Sequence, residues 1–456
     1  VRLAGAFALA LFGCGQGAAP PVAANPTQPP PAVAEAGAPS ASAPAPATPV
    51  PASGCATLDP KLPELITTDM DVANPPVKDF SDADQMAPVW QKLAKIVRKR
   101  GDDSVRIAVY GDSNMTRDYI TGELRRTLQA QFGDAGHGFV AVGKPWSWYL
   151  HEDVKHGVAD GWVSYNMTTK QVADRLYGLG GIAAQSQMPG ARAYVETADA
   201  GSAVGQKANR VEVLYLQHPK NGTFDVVVDG KKLATIDTKA AQIGAGIQRY
   251  EVPDTRHKVE LFSGPDAMKP VRLLGVVLER KEPGIVIDSL GIGGVNMQLI
   301  ARGKRELMIE TLRMRKYDLI VLLTGATEPD LPSHVASAKK LVATFKEALP
   351  QAAIMMLSPP DLAGGTIERP TRSIRINQIE RQKLEVARTE KLVYWDFRAA
   401  MGGEQSIVHF AERKMAWTDF IHLTDKGGHY MGRRFAHALV GDFRRYLAKD
   451  PKAGCN

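Results

Sequence analysis

From residue 84 onward the apolar positions fall into distinct rhythms. Met86, Val89, Leu93 and Val97 recur at three or four residues, which predicts a helix over 84–100 with Pro88 tolerated near its start. Val105-Arg106-Ile107-Ala108-Val109-Tyr110 is a β-branched apolar run that ends in Gly111-Asp112-Ser113. Leu124, Leu128 and Phe132 follow at intervals of four, so the order is strand, tight turn, helix. Between about 145 and 283 the helical rhythm is lost. Val211–Leu216, Thr223–Val228 and Lys258–Phe262 read as strands, and Asp229-Gly230 is a two-residue hairpin signal. Short strands at this spacing predict a β-sandwich. Then strands are expected at 284–289, 317–323, 352–357 and 391–396, and helices at 295–315, 333–348, 373–389 and 424–447. Such alternation builds a parallel sheet. The predicted class is α/β, with a β-sandwich (145–283) inserted between the two parts of the α/β domain at 55–144 and 284–456.

The N-terminal residues follow a different pattern. One arginine precedes a short apolar run over 1–13, too short to span a bilayer, and Leu11-Phe12-Gly13-Cys14 follows the form of a bacterial lipobox. Residues 1–14 are therefore expected to be a signal peptide with lipidation at Cys14, a plain signal peptide being the alternative. Residues 15–54 are Ala, Pro and Ser with almost no charge and predict a disordered tether. Of the three cysteines, Cys55 and Cys455 stand at the two ends of the folded region. In an exported protein they are expected to pair, closing a loop worth about 4–5 kcal/mol in the chain-entropy account. Membrane contact is expected through the N-terminal lipid alone.

The formal charge of +7 does not point to nucleic acid, because the basic residues are dispersed and Arg98-Lys99-Arg100 closes a predicted helix. A mildly basic surface suits an acidic envelope polymer or anionic lipid. No cofactor motif is present: Gly178-Leu179-Gly180-Gly181 lacks the Gly-Lys-Ser/Thr of a phosphate loop, and the histidines show no metal-ligand spacing. An oligomeric state is not specified by the sequence.

In open α/β sheets, sites form beyond the carboxyl ends of the strands. The first such end carries Ser113, where free backbone N–H groups favour developing negative charge. Ser113 reads either as a nucleophile or as an N-cap. The next end carries the glycine-rich turn Gly291-Ile292-Gly293-Gly294-Val295-Asn296, and the third carries Gly325-Ala326-Thr327-Glu328. Asp419 and His422 lie three apart just before the last helix, a spacing that lets a histidine take the serine proton while the aspartate orients it. Trp146, Trp148 and Tyr149 are candidates either for sugar stacking or for packing the insert, and Asn114, beside the serine, is a candidate substrate contact. His137 between glycines reads as a site residue or a turn residue.

Taken in order, Gly-Asp-Ser, the glycine block, Gly-x-x-Glu and Asp-x-x-His resemble the SGNH, or GDSL-type, hydrolase superfamily over about 103–140 and 284–445. Tyr119–Arg126 and Phe132–Phe139 add a likeness to bacterial envelope polysaccharide (peptidoglycan- and alginate-type) O-acetyltransferases and O-acetylesterases, some of which carry a carbohydrate-binding-like sandwich insert. The resemblance implies a flavodoxin-like three-layer domain without a cofactor. It implies Ser113 as nucleophile, His422 and Asp419 as its partners, and oxyanion donors at Ser113, Gly294 and a third position. That third position is asparagine in the family and Thr327 here, with Asn296 a possible replacement. The implied partner is an acetylated envelope polysaccharide, and the implied activity is O-acetyl ester hydrolysis. Acetyl transfer to the same polymer class is the alternative, as is a non-catalytic polysaccharide-binding lipoprotein. A lipase for small lipophilic esters is a weaker reading.

Overall fold

The centre of the protein is a sheet whose strands are the apolar runs read above. The computed structural model describes residues 72–455 apart from 102, 329 and 330. Across the sheet lie Val393–Trp395, Ala353–Leu357, Leu319–Leu323, Ser104–Gly111 and Gly284–Gly291, all parallel, with Lys78–Asp79 added antiparallel at one edge. Numbered along the chain from Ser104–Gly111, the parallel strands stand in the order 2-1-3-4-5. This is the flavodoxin-like order, with its switch point beside the first strand.

Alternate side chains of Ser104–Gly111 enter two separate cores. Val105, Ile107 and Val109 pack with helices Ala87–Val97, Tyr119–Phe132 and Asp425–Lys449. Ala108 and Tyr110 pack with Arg305–Arg315, Leu331–Ala348 and Ile374–Thr389. The result is three layers. The helix expected over 295–315 is two helices, Met297–Ile300 and Arg305–Arg315. At the break, the Lys304 N–H donates to the Arg175 carbonyl at 3.1 Å instead of continuing a helical ladder. Arg175 belongs to the insert, so a tertiary contact overrides local periodicity.

The insert is a sandwich of two antiparallel sheets. One has five strands, Val154–Val158, Arg192–Thr197, Thr223–Val228, Lys231–Asp237 and Lys258–Ser263. The six-stranded one includes Gly138–Val140, which pairs with Val271–Glu279, so the sandwich already recruits chain before residue 145. The Asp229-Gly230 hairpin forms as read, with both residues at positive φ (51° and 78°). Val271–Glu279 is buried along its whole length. Val276 faces the sandwich interior while Val277 faces the α/β layer. A strand covered on both faces shows no alternation, and this one escaped the period-two reading.

The contact between sandwich and sheet is also electrostatic. Arg315, fully buried at the end of its helix, donates to both Asp288 oxygens at 2.9 and 3.0 Å and to Glu279 at 2.8 Å. Arg106 on the central strand donates to both oxygens of Glu279 at 3.1 and 3.0 Å. Asp288 is on the edge strand of the parallel sheet and Glu279 on the sandwich, so one charge network spans the junction. Burial pushes the Glu279 carboxyl up, but the two guanidiniums prevail and hold it down at about 2.

Among the described residues no helix is long and apolar enough to cross a membrane. Cys14, the 15–54 tether and Cys55 lie outside the described residues, and with Cys55 so does its pairing with Cys455. The last residues dock on the first helix, with Arg98 Nε donating to the Ala453 carbonyl and Arg100 to the Cys455 carbonyl, each at 2.6 Å.

Two outcomes are expected of the junction. Arg315→Met leaves Asp288 and Glu279 buried without their shared cation, and chemical denaturation should show a loss of about 3–5 kcal/mol; an unchanged midpoint would count against the network. The Glu279 carboxylate has a folded pKa below its ordinary value, so its contribution is complete above about pH 4.5 and is lost as pH falls toward 2. Glu279→Gln should therefore remove part of the acid-induced loss of stability in that window, measured as stability against pH beside the wild type.

Candidate active site

The register of the sheet levels three strand ends. Gly111 stands opposite Gly291 on one side and Leu323 on the other. Three turns therefore leave the sheet together, and Met115 packs down between the first two. A Cβ on Gly111 would meet Met115 Cγ at 2.2 Å, so this turn requires glycine. Ser113 opens the 3₁₀ turn Ser113–Met115, whose N-cap, Asp112, accepts the Asn114 N–H at 3.2 Å. As first residue of the turn, Ser113 has a backbone N–H with no intrahelical partner.

A fourth turn arrives from the C-terminal part. An isolated bridge between Ala416 and Leu423 closes it, and the Trp417 N–H donates to the His422 carbonyl at 2.8 Å. Buried Phe420, at φ 53°, anchors its bend. His422 Nδ1 lies 2.7 Å from Asp419 Oδ2, and His422 Nε2 lies 2.9 Å from Ser113 Oγ. Asp419 Oδ1 also accepts the Ile421 and His422 N–H groups, at 2.9 and 3.0 Å. Burial raises the Asp419 carboxyl, yet these hydrogen bonds hold it below its ordinary value. An ionised carboxylate only accepts, so Nδ1 carries the proton and Nε2 presents its lone pair to the serine hydroxyl.

Asn114, expected at the substrate, is bonded within the protein. Its Oδ1 accepts the Leu423 N–H at 2.8 Å and its Nδ2 donates to the Ile421 carbonyl at 3.2 Å. It ties the serine turn to the histidine turn. No spacing in the sequence signals this, because the partners are backbone atoms more than 300 residues away.

The proposed oxyanion positions divide. Gly294 adopts φ +73° with open space where a Cβ would stand, and its N–H has no acceptor among the described residues. Thr327 instead donates its hydroxyl to the Val295 carbonyl at 2.9 Å. Asn296 is also occupied: Oδ1 caps Met297–Ile300 through Leu299 N–H, and Nδ2 donates to the Thr327 carbonyl at 3.1 Å. Both candidates for a third donor thus lace the second turn to the third. The insert reaches this region as well, since Thr168 Oγ1 lies 2.9 Å from the Gly293 carbonyl.

Beneath the turns lies a buried set the sequence did not reveal. Lys383 donates to the Thr324 carbonyl, and burial pulls its pKa down to about 8 against the pull of Glu328 and Asp112. Asp112 itself is raised by burial and also faces the Ala326 N–H at 3.4 Å.

His137 is buried away from the groove, its Nε2 3.3 Å from His151 Nδ1. With Asp118 these histidines place three ligand-type atoms within 4.8 Å, a proximity invisible in their spacing. The set does not suit a cation. Arg125 already pairs with Asp118 at 3.0 Å, both fully buried, and Asp118 also accepts from Thr121 and the Glu152 N–H. A metal ion would sit beside that guanidinium.

Ser113 and His422 lie in an open groove of ≈ 580 Å³ with Arg117, Tyr119, Trp148, Trp417 and Asp425 on its walls. Trp148 is half exposed there, whereas Trp146 turns inward and meets Tyr149 edge-on at 5.2 Å.

A flavodoxin-like sheet interrupted by a sandwich, with serine at the switch point, is the fold that the resemblance implied. A solved structure described as "Peptidoglycan O-acetylesterase in action" aligns with a TM-score of 0.68 at 21% identity, over 81% of this chain and 99% of that one. Weaker likenesses include a family two carbohydrate esterase from Clostridium thermocellum (TM-score 0.29, 11% identity, 62% and 98% covered) and a salicylyl-acyltransferase from a tetracycline biosynthetic pathway (0.28, 16%, 64% and 95%). The first likeness is one of fold; the other two carry no argument. No protein-family model and no curated protein matches the chain.

Asn114→Ala removes the acceptor of the Leu423 N–H. Hydrogen exchange at Leu423 should accelerate at least about tenfold, since its N–H is held by that bond and Asn114 gives the turn two of its ties to the serine turn. An unchanged rate would mean that the turn is held without it.

Proposed function

We propose that this protein is a serine esterase that removes O-acetyl groups from a cell-envelope polysaccharide. The observation that carries the reading is the unbroken line Ser113 Oγ, His422 Nε2, His422 Nδ1, Asp419 Oδ2 at 2.9 and 2.7 Å, on the floor of an open groove. The fold shared with a peptidoglycan O-acetylesterase supports the substrate class.

In this reading Ser113 Oγ attacks the acetyl carbonyl and its proton passes to His422 Nε2. The carbonyl oxygen becomes an oxyanion facing the N–H groups of Ser113 and Gly294. The intermediate collapses, the sugar oxygen leaves with the proton from His422, and acetyl-serine remains. Water then attacks, giving its proton to His422, and acetate departs as Ser113 is regenerated. Asp419 holds the imidazole in the required tautomer and faces the imidazolium when it forms. Hydrolysis is favoured over transfer to a second sugar because the groove is open and the His422 side chain is 41% exposed, which gives water access to the acyl-enzyme.

With Thr327 turned to Val295, two backbone donors serve the oxyanion. Absence of one donor costs about 10²–10³ in rate in other hydrolases, so turnover is expected to be slow. The signal-like 1–14 segment and the Cys55 and Cys455 positions support an exported, lipid-anchored and disulfide-linked protein.

The test is p-nitrophenyl acetate turnover. Ser113→Ala should lower kcat at least about a thousandfold. Equal rates in variant and wild type would sink the esterase reading and leave polysaccharide binding on a hydrolase scaffold as the alternative.

A further inference from the structure

Two tryptophans line the groove from distant parts of the chain. Trp148 comes from the segment that leads into the insert, and Trp417 from the turn that carries Asp419 and His422. They are 50% and 60% exposed. Single exposed apolar residues are ordinary, but two indoles in one functional groove are not scattered.

Both are held in place by their neighbours. On one side of Trp148, Trp146 packs edge-on against Tyr149, whose hydroxyl accepts the Ala141 N–H at 3.0 Å. On the other, the Glu152 N–H donates to buried Asp118 at 3.1 Å. The segment is pinned before and after Trp148, and that ring alone is left outside. Trp417 is fixed by its own N–H on the His422 carbonyl and by the Phe420 N–H on its carbonyl at 3.1 Å. Its turn cannot move without moving His422. Such rings offer a flat apolar face at little entropic cost, which matches the apolar C–H face of a pyranose ring. Arg117 and Asp425, which also line the groove, supply charged partners for the hydroxyls at the ring edge.

We infer that Trp148 and Trp417 are two sugar-stacking platforms, and that the site takes an acetylated residue within a glycan chain, with a neighbouring sugar on each tryptophan. The inference rests on the esterase reading for the identity of the reacting group. Trp417 is thereby a specificity residue that the order of sequence blocks did not single out.

O-acetylated peptidoglycan sacculi are the probe. In a Ser113→Ala background, which lacks the nucleophile, co-sedimentation with sacculi reads binding alone. Adding Trp148→Ala or Trp417→Ala should weaken binding at least tenfold, and Trp417→Phe, which keeps a flat ring, should restore most of it. In the active protein, each alanine variant should lose at least tenfold more kcat/KM on sacculi than on p-nitrophenyl acetate, which has no second sugar to place. Equal losses on both substrates overturn the inference. Sacculus binding that is undiminished in the alanine variants does so too, as does failure of the Ser113→Ala protein to bind sacculi at all. Failure of the esterase reading is seen separately, as a p-nitrophenyl acetate rate that Ser113→Ala leaves unchanged.

Discussion

The arrangement of this molecule depends on a buried guanidinium. Arg315 sits where the parallel sheet, the helix Arg305–Arg315 and the sandwich meet, and it satisfies carboxylates from two of them. A charge there is tolerable because two carboxylates face it, Asp288 taking two of its N–H groups and Glu279 a third, with Arg106 closing the other side of Glu279. Apolar contact alone, such as that of Val277 with the core over the sheet, would hold the sandwich on the sheet but would tolerate sliding. Paired forks do not, because a shift of one residue leaves a buried charge without its partner. The insert is therefore presented to the site in one orientation.

That orientation reaches the chemistry through short links. Thr168 of the insert meets the Gly293 carbonyl, one residue before the glycine whose N–H is open. Asn296 and Thr327 lace that turn to the next, and Asp112 faces the third turn through Ala326. Lys383 lies under the set with its charge opposed by Asp112 and Glu328. The serine, the open glycine N–H and the histidine thus stand on turns that each borrow stiffness from another.

Much of this could be read in the sequence, and the reasons differ by element. The parallel strands were legible because each is a short apolar run followed by a helical period, and the Asp229-Gly230 hairpin because a two-residue turn at positive φ restricts residue choice sharply. Ser113 could be placed at a strand end from the sequence, and Asp419 and His422 as a pair three apart before the last helix; the two helices Phe397–Met401 and Ser406–Glu412 that separate that pair from the last strand were not read. Val271–Glu279 was not, since burial on both faces erases alternation. The break at 301–304 was not, since its cause is a carbonyl of the insert. Lys383, Asn114 and the His137–His151 contact were silent for a common reason: their partners are backbone atoms or side chains brought close only by the fold. Thr327 was legible as a departure from the family pattern, but its consequence was not, because the acceptor that captures its hydroxyl is a carbonyl in a different turn.

That capture bears on how the site divides its work. A threonine hydroxyl is short, and here it is used to fix the glycine turn instead of facing the reacting oxygen. In the proposed mechanism the site would keep its nucleophile and base aligned while lacking one source of transition-state charge stabilisation. An open groove adds no compensation from excluded water, since the oxyanion then forms in a medium that weakens every dipole aimed at it. What remains is positioning. In the proposed reaction, binding energy drawn from sugars far from the acetyl group would hold that group against Ser113, and only a substrate long enough to reach both tryptophans would supply it. A small ester would supply none of that binding energy. The proposed enzyme would thus trade intrinsic turnover for dependence on polymer, in keeping with two exposed tryptophans in the groove and a Thr327 hydroxyl given over to structure.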